Sequence, residues 1–307
     1  MRAATLESVP SSPSVSEVEA PPLEAGELLV RVESASVNGF DVATAAGWLQ
    51  GMIEHRYPLV VGKDFAGTVT ARGDGADGFA VGDAVFGVVM KPFLGAGSLA
   101  EFVTVPAAYG VAHIPDGLSV RDAGALGLAG TAALDSVNAV DPSEGETILI
   151  CGATGGVGSL AVQLAAARGA RVIATARPGS EAGFVTGLTA AEIHVVDHTG
   201  DLAAQVRAVA PDGVDTALHL AGDADQLAGL LRPGGRLAST LGVTPDGATA
   251  VSVMADTSPQ TLARLAADAA SGALRVPVTA SYPLARIDEA FAAFRTGALG
   301  KIALTIA

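Results

Sequence analysis

Ile148-Leu149-Ile150-Cys151-Gly152-Ala153-Thr154-Gly155-Gly156-Val157-Gly158, continuing as SLAVQLAAARGARVIAT to Thr175, is the stretch that decides the fold. A short apolar run, the length of one strand, meets a glycine-rich turn. Val157, Leu160, Ala161, Leu164 and Ala165 then recur at helical spacing, and a second apolar strand opens at Arg171. Strand, turn, helix and strand in this order are the context that a dinucleotide-binding turn requires. Its glycines allow a tight turn and a close backbone approach to a pyrophosphate, and the helix start offers unpaired N–H groups to the anion.

Outward from this unit, TILIC, RVIAT, EIHVV, TALHLA and RLAST alternate with helical segments. That alternation predicts a doubly wound α/β domain with a parallel sheet. Upstream the texture is different. In ELLVRVES, Leu28, Val30 and Val32 alternate with Leu29, Arg31 and Glu33, the period of a half-buried strand. DFAGTVTA, DAVFGVVM and EFVTV follow, separated by turns such as Arg72-Gly73-Asp74-Gly75 and Val81-Gly82-Asp83. Ser119-Val120-Arg121-Asp122 predicts a capped helix start running on to Asn138. After a helix near Thr261–Ala270 the tail turns strand-like, with a helix at Asp288–Arg295 and a final strand IALTI. The expected division is a β-rich domain from 1–120 and 262–307 and a dinucleotide-binding domain from 121–261.

Composition narrows the partners. The chain has 307 residues, a formal net charge of −14, 50% hydrophobic residues and a single Cys. That charge disfavours nucleic acid and anionic membrane surfaces. Cys151 alone cannot form an internal disulfide or a multi-thiolate metal site. The N-terminal segment has no apolar run after a positive start, and no stretch is long enough to span a bilayer, so a cytoplasmic location is expected.

The end of the second strand reads on the cofactor. An NAD site places an acid roughly 20 residues after the first glycine, for the ribose 2′-OH. Here Thr175-Ala176-Arg177-Pro178-Gly179-Ser180 brings no acid before Glu181. Arg177 suits a 2′-phosphate, with Thr175 and Ser180 as hydroxyl donors, so NADPH is the expected cofactor; a solvated loop Arg is the alternative. No Tyr is followed four residues later by Lys, so the proton relay of short-chain reductases is missing.

The chain resembles the zinc-free, quinone-reductase-like (zeta-crystallin-like) branch of the medium-chain dehydrogenase/reductase superfamily. The resemblance rests on Ser36-Val37-Asn38-Gly39-Phe40-Asp41, the run Val60–Val69, Ala129-Gly130-Thr131-Ala132-Ala133-Leu134, the Gly152–Gly158 turn, Leu231-Arg232-Pro233-Gly234-Gly235-Arg236-Leu237 and Gly300-Lys301-Ile302-Ala303-Leu304. It implies a GroES-like β domain completed by the C-terminal tail, a Rossmann domain, a cofactor in the cleft between them, and a homodimer paired through an edge strand of the cofactor sheet. Zinc-dependent members carry Cys where this chain has Asn38, and Gly-His-Glu where it has Gly62-Lys63-Asp64. Their structural zinc needs four Cys. His194 and His198 lie in a strand-like run, where a four-residue spacing does not converge them. No metal is therefore expected.

Reducing a simple ketone builds an alkoxide that needs a Lewis acid or a positioned proton donor. A quinone or enone instead yields a delocalised anion, so a small-molecule quinone is the expected substrate, with an enone or 2-enoyl thioester as the alternative. A non-catalytic NADPH-binding sensor or structural protein is a third reading. By the resemblance, Asn38, Thr131 and Asp64 would be the catalytic residues, Asn38 beside the nicotinamide and Thr131 facing its ribose. Asn38 also reads as a turn residue, and Asp64 as an ion-pair partner of Lys63. Asp41 would order backbone. Gly152, Gly155, Gly156, Val157 and Gly158 would carry the pyrophosphate, and Leu241, Gly242 and Val243 would flank the nicotinamide. Lys301 would reach the cofactor or stay solvated. Phe40, Trp48 and Met52 would line the substrate pocket, and His219 is a candidate proton donor.

Overall fold

The computed structural model describes residues 1–306. The chain divides into two units, Met1–Thr131 with Thr257–Ala307, and Ala132–Asp256. The first boundary falls later than the sequence predicts, for a physical reason. The helix expected from residue 120 is broken: Val120–Ala123 is one short turn, capped by Ser119, and a second helix runs Gly127–Val140. The short turn packs on the strand Glu27–Val37, and the N–H of Leu128 donates to Asp64 Oδ1 at 2.7 Å. These contacts tie the region to the β-rich unit. Likewise the helix Pro259–Ala270 packs against Val111–His113 of the same unit.

The first unit holds two sheets. The larger runs in the order Val278–Pro283, Lys301–Thr305, Glu27–Val37, Asp64–Arg72, Ala84–Val88, Val111–His113, with Phe102–Pro106 also paired to Glu27–Val37. The tail strand Lys301–Thr305 is antiparallel to Glu27–Val37, with Ile302 opposite Val37. That register sets Lys301 beside the end of the strand leading to Asn38. The smaller sheet is Ser14–Glu17, Arg2–Leu6, Glu54–Val60, Phe93–Ala96. Alternating inward residues Leu28, Val30 and Val32 join Phe65 and Phe291 in one core, each such side chain stabilising by roughly 1.5–3 kcal/mol.

The second unit is a six-stranded sheet in the order Ile193–Val196, Arg171–Thr175, Thr147–Cys151, Val214–His219, Leu231–Ser239, Thr249–Ser252, parallel throughout. Numbered along the chain this is 3-2-1-4-5-6, the doubly wound order of dinucleotide-binding sheets. The strand Thr147–Cys151 lies near its middle and is buried at every position, as a strand covered on both faces must be. The architecture is therefore a GroES-like β-rich unit and a Rossmann-type parallel sheet.

Candidate functional site

The glycine-rich turn leaves the carboxyl end of Thr147–Cys151 and enters the helix Gly156–Ala167, with Gly155 as its N-cap. Gly152 has φ +88°, a left-handed conformation suited to glycine. Gly158 is required for a different reason. A Cβ there would stand 2.1 Å from the carbonyl oxygen of Gly152 and 2.7 Å from Ala153 Cα, so the helix can approach the strand only without a side chain. At Gly155 an added Cβ would meet only Gly152 O, at 3.6 Å. The first N–H groups of a helix have no intrahelical partner, and those of Gly156, Val157 and Gly158 open this one. An open glycine at the N-cap, an undercut third glycine and unpaired helix N–H groups fit a dinucleotide pyrophosphate.

Thr175 does not face outward as expected. It is buried, accepts from the Gly152 N–H at 2.9 Å, and its hydroxyl turns to Ile150 O at 3.4 Å. Its place in the interior strand makes it a brace for the turn. Ser180 is exposed and opens the helix Ser180–Thr186. The Arg177 side chain is 59% exposed, and its guanidinium is paired to Glu181: Nε donates to Oε1 at 2.7 Å, and the Arg177 N–H donates to Oε2 at 2.7 Å. The Arg177 guanidinium holds the Glu181 carboxyl below its usual range. The sequence showed Glu181 only as an acid placed too late, not as the partner that fixes Arg177.

His219, a candidate proton donor, is 2% exposed and used on both nitrogens. Nδ1 lies 2.9 Å from Ser239 Oγ and Nε2 lies 3.1 Å from the carbonyl of Gly222. Because that carbonyl only accepts, the proton sits on Nε2. Ser239 Oγ also accepts from Leu241 N at 3.1 Å. His219 thus ties together the two turns that leave neighbouring strands. Leu241, Gly242 and Val243 follow the second of these turns and are exposed.

In the first unit the expected residues converge on a buried polar cluster. Asn38 caps the helix Gly39–Ala45. Its Nδ2 donates to Asp64 Oδ2 at 2.9 Å, and Lys301 Nζ donates to Asn38 Oδ1 at 2.6 Å and to Asp64 Oδ2 at 3.3 Å. Ser36 Oγ donates to Asp64 Oδ2 at 2.5 Å. Asp64 is 0% exposed, so it cannot touch a substrate; its partners make it an anchor. Its ion-pair partner is Lys301, not Lys63. Lys63 Nζ instead donates to Val89 O at 2.7 Å and sits 4.7 Å from the Phe40 ring centre, and burial lowers its pKa. Lys301 is 2% exposed, which removes the solvated reading and direct cofactor contact alike. Thr131 is 0% exposed and its hydroxyl donates back to Gly127 O at 2.9 Å and Leu128 O at 3.1 Å, so it faces its own helix rather than a nicotinamide. In the sequence Ser36 stands only as the first residue of the Asn38 motif with no role of its own, and the Leu128 N–H has no signal, because a backbone amide carries none.

Asp41 accepts from the Asn38 N–H at 2.8 Å. Burial pushes its carboxyl from 3.8 to about 7, Asp64 adds to the rise, and the Asn38 N–H, Lys301 and Lys63 oppose it. The folded chain therefore keeps this proton where the unfolded chain has lost it. Stability falls as pH rises from about 4 to about 7 and levels off above, by on the order of 4 kcal/mol for this one group. Asp41→Asn keeps an acceptor for Asn38 and removes the titration. Urea unfolding of both proteins across that window should show the wild-type slope flattened in the variant; parallel curves would contradict it.

Of the expected pocket residues, Phe40 is half-buried and lines a cavity of about 20 Å³ with Asp41, Thr44 and Lys63, room for about one water. Trp48 is 73% and Met52 76% exposed, in the turn after the helix Gly39–Ala45, so neither walls a pocket in this structure. Among the described residues no group of three or more His, Cys, Asp or Glu is placed to hold a metal, and no helix is long and apolar enough to cross a membrane.

The family described as alcohol dehydrogenase GroES-like domain matches residues 24–116, and the one described as zinc-binding dehydrogenase matches 192–304. A mycocerosic acid synthase-like polyketide synthase of Mycolicibacterium smegmatis is 35% identical over 295 residues, covering 88% of this chain and 13% of that protein. The putative quinone oxidoreductase YhfP of Bacillus subtilis is 35% identical over 174 residues, covering 54% of this chain and 50% of that protein. A mycobacterial protein solved in complex with NADPH superposes with a TM-score of 0.86 at 26% identity, covering 100% of both chains. The chain thus spans at most about half the length of these two curated relatives. With the GroES-like unit, the 3-2-1-4-5-6 sheet and the glycine turn in place, the chain belongs to the medium-chain dehydrogenase/reductase superfamily, in its quinone-oxidoreductase-like branch.

Proposed function

We propose that the chain is an NADPH-dependent oxidoreductase that passes a hydride to a small-molecule quinone without a metal. The observation that carries it is the Asn38–Asp64–Lys301 cluster: Asn38 and Asp64, which stand where zinc-dependent relatives carry Cys and Glu, are here bonded to each other and to Lys301. Bound NADPH supplies the hydride. The helix start at Gly156–Gly158 and the Gly152–Gly155 turn hold its pyrophosphate, and Arg177 meets the 2′-phosphate. Asn38, 7% exposed, donates an amide N–H to the acceptor oxygen as charge builds there. No side chain in the cluster is free to deliver a proton, so the acceptor must delocalise its charge until water protonates it. Homodimerisation through the outer strand Thr249–Ser252, and a cytoplasmic site of action, belong to the same reading. Enones are the second class this chemistry admits; 1,4-quinones and 2-enones compared at equal concentration separate the two, and good rates on enones with none on quinones would reverse the order.

Cofactor choice has its own test. Arg177→Ala should weaken NADPH at least tenfold more than NADH. Glu181→Gln should tighten NADPH, because the neutral amide no longer competes for the guanidinium. Fluorescence titration of both nucleotides reads this; equal losses for the two in Arg177→Ala would contradict the assignment.

A further inference from the structure

We infer that Lys301 is a positioning residue that fixes and polarises the Asn38 amide, so that Asn38 can offer only an N–H to whatever lies against it. The inference rests on the proposed role of Asn38 toward the acceptor. Its physical basis is the closed triangle of Lys301, Asn38 and Asp64. An asparagine amide is nearly symmetric in shape, and its two orientations are separated only by its partners. Here the ammonium of Lys301 sits 2.6 Å from Oδ1 and the carboxylate of Asp64 sits 2.9 Å from Nδ2. Turning the amide over would set its NH2 against the ammonium and its oxygen against the carboxylate, two repulsive contacts in place of two charge-assisted bonds.

The amide is therefore locked with its oxygen consumed. Of its two N–H bonds, one goes to Asp64, and the other has only contacts of 3.5 Å to Ser36, at the limit of a hydrogen bond. That second N–H is the donor Asn38 has left to offer, and Asn38 is the most exposed of the three side chains at 7%, against 2% for Lys301 and 0% for Asp64. The ammonium on Oδ1 withdraws electron density from the amide, and in a buried, low-dielectric site such chains of hydrogen bonds strengthen one another. The lone N–H becomes a better donor to an oxygen that gains negative charge than to a neutral carbonyl. This selects acceptors whose reduction passes through an enolate or hydroquinone anion.

The cluster also depends on both ends of the chain. Lys301 and Asn38 are 263 residues apart, and the register that pairs Ile302 with Val37 delivers the ammonium. Asp64 is held in turn by Ser36 and by the Leu128 N–H, so it is a fixed counter-charge rather than a mobile one.

The test uses the intact chain and an unusual convenience: it contains two asparagines, Asn38 and Asn138. Labelling asparagine with 15N gives two side-chain amide pairs, and Asn138→Gln assigns them. In Lys301→Met the Asn38 pair should move while the Asn138 pair stays, and Lys301→Arg should return it toward the wild-type position. With NADPH and 1,4-benzoquinone, Lys301→Met should lower kcat roughly tenfold or more with NADPH affinity unchanged, and Lys301→Arg should recover part of it. Asp64→Asn/Lys301→Met removes both buried charges together. It should restore stability yet stay slow, because the ammonium is gone. An unmoved Asn38 pair, or a fully active double variant, would overturn the inference, the latter reducing Lys301 to a structural ion pair. If the wild type reduces neither quinone nor enone, the proposed function fails while the NMR pair still decides whether Lys301 holds Asn38.

Discussion

Gly158→Ala should destabilise the second unit by about 3 kcal/mol or more and weaken NADPH binding at least tenfold. The added methyl has no low-energy place: its position is 2.1 Å from Gly152 O and 2.7 Å from Ala153 Cα, and both are backbone atoms. Either the helix Gly156–Ala167 moves off the strand or the turn opens, and both displace the N–H groups that would meet the pyrophosphate. Gly155→Ala gives the contrast. Its methyl would meet only Gly152 O at 3.6 Å, so the fold should tolerate it. A ligand lying over the turn would not, so this variant should keep its melting temperature and still lose NADPH affinity. Thermal unfolding and nucleotide titration on both variants check the pair. A Gly155→Ala protein that binds NADPH as tightly as wild type would move the pyrophosphate elsewhere.

The second large effect is expected from the buried ion pair. Lys301→Met alone leaves the Asp64 carboxylate, 0% exposed, without its cation, and losses of about 3–5 kcal/mol accompany such changes. Asp64→Asn/Lys301→Met should recover most of that. The neutral Asn at position 64 can still accept from Leu128 N–H and can donate to the Asn38 oxygen that Lys301 released. Urea unfolding of the two single variants and the double variant measures the coupling. Additive losses would show that the pair is not coupled, whatever its distance.

The contrast between what the sequence announces and what it hides follows from how local each signal is. The glycine turn and the alternating strands of the second unit are legible because backbone geometry and hydrophobic period are written within some thirty consecutive residues. The small sheet of the first unit is not. Ser14–Glu17 is mostly exposed and Glu54–Val60 is exposed over its first half, so neither shows the alternation that marks a half-buried strand. The break at Gly124–Leu126 is hidden for another reason: the helical pattern continues across it, while the short turn before it packs on strands remote in sequence, Glu27–Val37 and Asp64–Arg72 among them. At the site, Asn38, Asp64 and Lys301 can each be singled out from motifs, but their mutual bonds depend on strand register across nearly the whole chain. Adjacency in sequence makes Lys63 the natural partner of Asp64. Lys63 lies in the bend just before the strand that Asp64 opens, and its ammonium goes to Val89 O instead. Thr175 and His219 differ from their expected roles for a shared reason: their polar atoms are spent inside the fold, bracing turns at the carboxyl end of the sheet.

In the proposed function a conjugated acceptor, and not a metal, carries the charge of hydride transfer. The most direct measurement follows NADPH oxidation by protein dialysed against a strong chelator, with 1,4-benzoquinone and with cyclohexanone. The quinone should be reduced at an undiminished rate after chelation, and the simple ketone should not be reduced. Turnover of the ketone, or quinone reduction that vanishes on chelation and returns with zinc, would contradict it.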